Sequence, residues 1–200
     1  MIYNDLCQRN TYNCDMKIFV FGHTRSGSTL LQTILSRKNG LANLGEPYNN
    51  NPDVFEEIQD KDDYVLKVTS STLRNQDPTK IPLEIYDEIY CTERNDKTSA
   101  MASSYLSKIT NNYHQPSKME FSIPIGFFYH YTKDLKKYYR YSEEIARRRP
   151  DYKRLEYKQI LDMAVNEDIF SASELDYERD CKNYADMRAK MLYFMSSLEN

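Results

Sequence analysis

Two hundred residues, with 27 Lys and Arg against 30 Asp and Glu for a formal charge of −3, suffice for one domain whose core needs no disulfide or metal staple. The acidic balance argues against a general nucleic-acid binder, which carries a strong basic excess, and leaves room for a local anion pocket. No apolar run approaches the roughly 20 residues of a membrane span, and residues 1–15 (MIYNDLCQRNTYNCD) lack a secretion-signal pattern, so a cytoplasmic protein is expected.

Those first fifteen residues are polar and aperiodic and read as an arm outside the core. Lys17–Phe21 (KIFVF) is a short apolar run bounded by Gly22, the pattern of a buried strand. After the loop His23–Gly27, Ser28 opens a helix with Leu30, Leu31, Ile34 and Leu35 on one face, closed by Asn39-Gly40. Tyr64–Thr69 (YVLKVT) is a second strand. Ile85–Thr92 holds a third, centred on Ile89, Tyr90 and Cys91. Residues 96–110 form a helix capped by Asp96, with Met101, Tyr105 and Ile109 on its packed face. Residues 111–130, with Pro116, Pro124 and Gly126, read as a long loop of the kind that covers an active site. Residues 131–200 read as helical, with Tyr184, Met187, Met191, Phe194 and Leu198 as a packed face. Strands separated by helices imply an α/β fold with a central parallel sheet flanked by helices. The whole is one domain, with a nucleotide-binding core over 16–110.

Cys7, Cys14, Cys91 and Cys181 show no CxxC spacing, and none of the three histidines pairs with them, so no metal site is expected. Cys7 and Cys14 are expected to be reduced thiols.

Gly22-His23-Thr24-Arg25-Ser26-Gly27-Ser28-Thr29 follows a strand and opens a helix. In that context glycines let the backbone turn toward a ligand, and the free N–H groups of the helix start attract negative oxygen. An ordinary strand-to-helix turn is the plain alternative. The pattern nearly fits the P-loop GxxxxGK[ST], but Ser28 stands where the phosphate-reaching lysine belongs. No apolar strand ends in the aspartate that completes a magnesium site, which disfavours a kinase or ATPase.

A cation just before Ser-Gly-[ST]-[ST] is instead the sulfotransferase pattern, and FVFGHTRSGSTLLQTILS resembles that family's 5′-phosphosulfate-binding loop. The resemblance implies 3′-phosphoadenosine 5′-phosphosulfate as donor, without a metal, held by Arg25 and by Ser26, Gly27, Ser28 and Thr29. Arg25 would neutralise charge on the leaving phosphate. Leu44-Gly45-Glu46-Pro47 is similar to a Gly-Glu position of the bacterial trehalose-sulfotransferase type, which implies Glu46 as general base. Arg94 and Ser103, nine residues apart, match the family's 3′-phosphate pair, with Ser104 the neighbouring competitor. Lys67 is a candidate to reach the transferring sulfuryl group from its strand.

Weaker candidates carry plainer readings. His23 is a loop residue, His114 a distant alternative base, and His130 a lone histidine. Tyr177-Glu178 resembles a structural pair near the family's C-terminus, and Arg147-Arg148-Arg149 read as a solvated helix end. No glycine follows Gly126, so the glycine-rich segment that closes over the nucleotide in many relatives is missing. That leaves open a homodimer whose partner subunit completes the pocket. The expected acceptor is a small-molecule or glycan hydroxyl, with Asn49-Asn50-Asn51 tilting it toward carbohydrate. Two rivals stand beside this reading: a magnesium-dependent P-loop kinase, and a non-catalytic binder of phosphorylated nucleotides.

Overall fold

The computed structural model describes residues 16–49, 54–58, 60–73, 78–111, 119–167 and 180–198. Residues 1–15 with Cys7 and Cys14, Asn50-Asn51, His114 and Tyr177-Glu178 lie outside the described residues. In chain order the elements are β1 (Lys17–Gly22), α1 (Ser28–Asn39), β2 (Ala42–Asn43), α2 (Val54–Ile58) and β3 (Tyr64–Thr69). They continue with β4 (Glu88–Glu93), α3 (Lys97–Thr110), α4 (Ile125–Arg148), β5 (Lys153–Glu156), α5 (Tyr157–Asn166) and α6 (Tyr184–Ser196).

The strands form one all-parallel sheet in the order β2-β3-β1-β4-β5, flanked by helices, with a helical C-terminal part. Period-two alternation divides the core into two faces. Phe19 and Phe21 of β1 point into the cluster under α3, α4 and α6, and Ile18 and Val20 into the one under α1 and α5. All four are fully buried, and each contributes about 1.5–3 kcal/mol by the usual transfer scale.

Several expectations need correction. The helix expected from residue 131 begins at Ile125, immediately after Pro124 as its N-cap. Lys153–Glu156, inside the stretch read as helical, is a fifth parallel strand. Ile109 is 44% exposed and does not join the packed face of α3, which Met101 and Leu106 supply. Leu198 is likewise exposed, while Tyr184, Met187 and Met191 are buried as expected. Arg148 and Arg149 are not a solvated helix end. Arg148 donates to the carbonyls of Thr79 and Ile81, and Arg149 to those of Leu83 and Tyr86. They clamp the connection into β4. Cys91 and Cys181 are free and buried, and burial pushes the Cys91 thiol up to about 12. Among the described residues no helix is long and apolar enough to cross a membrane, and no His, Cys, Asp and Glu cluster could hold a metal.

Candidate functional site

Register decides where the site forms. Gly22 pairs with Thr69 on one side and Thr92 on the other, so β1, β3 and β4 end at one level. The loops that follow them gather at the carboxyl edge of the sheet, where ligands of open parallel sheets bind.

The glycine loop is braced from within. The Ser26 hydroxyl donates to the His23 carbonyl (2.6 Å) and meets Thr92 Oγ1 at 2.6 Å, while the Ser26 N–H also donates to His23 (3.1 Å). Ser26 thus spends its polar groups on the loop itself. Arg25 and Gly27 both take the left-handed conformation, at φ 66° and 89°. Gly27 is the N-cap of α1 and offers no side-chain cap, so the first N–H groups of the helix face the loop without an intrahelical acceptor.

Two groupings of predicted residues come together around that helix start. In the first, Lys67 reaches from β3 to Thr29 Oγ1 (2.8 Å) and to Glu46 Oε2 (3.1 Å). The other carboxylate oxygen, Glu46 Oε1, accepts from the hydroxyl (2.6 Å) and the N–H (3.2 Å) of Thr69. The turn carrying Glu46 is itself held. Buried Gln32 of α1 donates to the Gly45 carbonyl (2.7 Å), which also accepts the Lys67 N–H (2.9 Å). In the second grouping, Arg25 Nε donates to Ser103 Oγ of α3 at 2.9 Å. Ser103 is 1% exposed, and it, not its half-buried neighbour Ser104, faces the loop.

Arg94 follows β4 on the far side of the loop. Its Cζ lies 4.5 Å from the centroid of the Tyr157 ring. Next to it, a cavity of about 10 Å³, room for one water, opens among His23, Thr24, Arg94, Lys97 and Tyr131. His23 Nε2 and the Tyr131 hydroxyl have no hydrogen-bond partner among the described residues. Burial, aided by the Lys97 charge, pushes the His23 imidazole down to about 3, so it stays neutral and cannot serve as a cation in the loop. In the wall of the cavity Lys97 pairs with Glu93 at 2.7 Å. Burial opposes the charge of Glu93, but Lys97, Arg154 and Tyr139 together hold its carboxyl below the usual range. Asp96 caps α3 by accepting from the Ser99 N–H (2.9 Å), as its sequence position implied. His130 lies on an exposed face of α4 beside Asp134.

Four contributors were not singled out from the sequence: Gln32, Thr69, Thr92 and Tyr157. Thr69 and Thr92 could have been found at the carboxyl ends of apolar strands, Thr69 as the last residue of β3 and Thr92 as the last but one of β4. Tyr157 follows a strand, KRLE, too charged to be recognised as one.

A parallel sheet that hands its central strand through a glycine loop to an uncapped helix, with cations converging on that helix and a carboxylate beside it, is an arrangement chemically suited to holding an anion. The sulfotransferase family model matches residues 17–155, and the chain belongs to the sulfotransferase family, which makes it a transferase. No curated protein matches the chain.

Proposed function

We propose that this protein transfers a sulfuryl group from 3′-phosphoadenosine 5′-phosphosulfate to a hydroxyl of a carbohydrate or another small alcohol or phenol, as in the bacterial trehalose-sulfotransferase type. The observation that carries the reading is the bridge made by Lys67. One ammonium touches both Glu46 and Thr29, so a base and a helix N-terminus suited to phosphosulfate flank the same point.

In this reading Glu46 accepts the acceptor's hydroxyl proton as its oxygen forms the new O–S bond. The bond from sulfur to the 5′-phosphate oxygen breaks in the same step, and its electron pair leaves with the nucleoside bisphosphate. Arg25, Lys67 and the N–H groups of Ser28 and Thr29 offset charge on the sulfuryl and leaving phosphate oxygens. Ser26 contributes by bracing the loop. Arg94, whose planar fork suits phosphate, and Ser103 hold the 3′-phosphate. The bond between Arg25 and Ser103 ties the two anion subsites together.

The test is calorimetric titration with 3′-phosphoadenosine 5′-phosphate without magnesium, followed by transfer from the labelled donor to a panel of methyl glucosides, disaccharides and 4-nitrophenol. Glu46→Ala is expected to keep nucleotide binding and lose about 10²–10⁴-fold in transfer rate, the usual worth of a general base. Full turnover in that variant would remove Glu46 from the mechanism. Binding of ATP only with magnesium would replace the donor reading with the kinase one.

A further inference from the structure

Between the glycine loop and the 3′-phosphate arginine stands a ring that the transfer step does not use. β5 pairs with β4 so that Glu156 faces Glu93, and the next residue of each chain segment is Tyr157 and Arg94. The aromatic ring lies against the guanidinium, centroid to Cζ 4.5 Å. It also lies flush with the loop, since a Cβ on Gly27 would come within 2.9 Å of Tyr157 Cδ2. Its backbone is fixed as well. Tyr157 opens α5, whose start is closed by a reciprocal capping box between Glu156 and Gln159.

Arg94 contrasts with the other partly buried arginines, Arg25 in the loop and Arg148 and Arg149 at the opposite, amino end of the strands. Arg25 donates to Ser103, and Arg148 and Arg149 donate to carbonyls and carboxylates. Among the described residues the Arg94 guanidinium has no ion-pair or hydrogen-bond partner, and the Tyr157 ring is what it rests on. A long side chain held over an aromatic face keeps its N–H donors, which lie in the guanidinium plane, available to a ligand. It also gives up its conformational freedom before the ligand arrives.

Resting on the donor reading above, we propose that Tyr157 is a positioning residue that holds Arg94 ready for the 3′-phosphate. Through Arg94 it sets the preference for a nucleoside 3′,5′-bisphosphate over a 5′-monophosphate. The ring touches no reacting atom in this role.

The test compares calorimetric dissociation constants for 3′-phosphoadenosine 5′-phosphate and for AMP in the wild type, Tyr157→Phe and Tyr157→Leu. The readout is the ratio of the two constants. The wild type and Tyr157→Phe, which both carry the ring, are expected to share one ratio. Tyr157→Leu is expected to shrink it by about 2- to 30-fold, the range of a cation–π contact, with AMP affinity little changed. In an Arg94→Ala background, Tyr157→Leu should shrink it no further. Equal weakening of both nucleotides, or an unchanged ratio, overturns the inference, because the ring would then serve loop packing alone. Wild-type protein that holds both nucleotides alike overturns the donor reading itself, and the inference with it. If Tyr157→Leu does not fold, Tyr157→Met removes the ring with similar bulk and is read in the same way.

Discussion

His23 makes a prediction whose size follows from its surroundings. Its ring packs edge-on against Tyr131 with centroids 4.6 Å apart, and it is 4% exposed. Burial and Lys97 push its imidazole from 6.5 down to about 3. In the folded protein it therefore stays neutral down to about pH 3, while the unfolded chain takes up the proton below about 6.5. The unfolded state binds more protons throughout that window, so stability rises with pH there and is lost as pH falls from 6.5 toward 3. At pH 4.5, two pH units below the unfolded value, the loss is about 3 kcal/mol at ~1.4 kcal/mol per unit. That is a large part of the roughly 5–15 kcal/mol of a typical domain. The perturbation is His23→Asn, which cannot take up a proton. Urea denaturation of both proteins from pH 7.5 to 4.5 gives the difference curve, in which the titration of Glu93, Asp96 and the other shared carboxylates cancels. Lost ring packing shifts the variant by a constant, and the slope alone reports the histidine. The expected result is a wild-type disadvantage that grows by about 3 kcal/mol toward pH 4.5. Parallel curves would show that His23 is solvated or charged in the folded protein, and the account of the cavity beside it would fall.

Two further outcomes are expected. Gly27→Ala puts a methyl at φ 89°, 2.9 Å from Tyr157 Cδ2 and 3.1 Å from Ile160 Cδ1, and should cost about 1–3 kcal/mol in urea unfolding together with weaker bisphosphate binding; unchanged stability would mean that the loop does not take this conformation. Lys97→Met strips Glu93 of a partner at 2.7 Å, where the two side chains are 9% and 15% exposed, and should cost about 3–5 kcal/mol. Adding Glu93→Gln should recover part of that loss, and a purely additive double variant would refute the pairing.

What the sequence discloses depends on how local each cause is. The loop was legible because strand, glycines and helix lie within thirteen residues, Lys17–Thr29, each with its own short-range signal. Lys67 was legible as an anomaly, a charge inside YVLKVT, and its destination follows from register: it pairs with Val20, two residues before the strand's end. β5 was hidden because an edge strand with an exposed Lys153 and Arg154 has no apolar run to display. With β5 hidden, Tyr157 had no address. The start of α4 was obscured by Gly126, a poor helix former, although Pro124 suits a helix entrance by its fixed φ. Arg148 and Arg149 read as solvated because their carbonyl acceptors lie more than sixty residues away in the chain.

The same long-range pairing explains how a chain with five glycines keeps a glycine loop in shape. Gly22 is required by its neighbours, since a Cβ there would sit 2.4 Å from Thr92 Oγ1 and 2.7 Å from Ser26 Oγ. Those two hydroxyls therefore meet only because Gly22 has no side chain between them, and their contact fastens the loop to β4. Lys67 fastens the helix start to β3 through Thr29, and Ser103 fastens Arg25 to α3. Each tie comes from a different element, so the loop's geometry is set when the sheet forms, and in the proposed reading ordering it would cost little on anion binding. Loss of any one tie should then weaken anion binding through loop disorder even where the lost residue never touches the anion, and Thr92→Val, which removes a hydroxyl that meets Ser26 at 2.6 Å and the Phe21 carbonyl only at 3.4 Å, is the substitution that tests this effect. Calorimetry on that variant should show weaker binding of 3′-phosphoadenosine 5′-phosphate with a more unfavourable entropy; an unchanged binding entropy would mean that the loop is rigid without the tie.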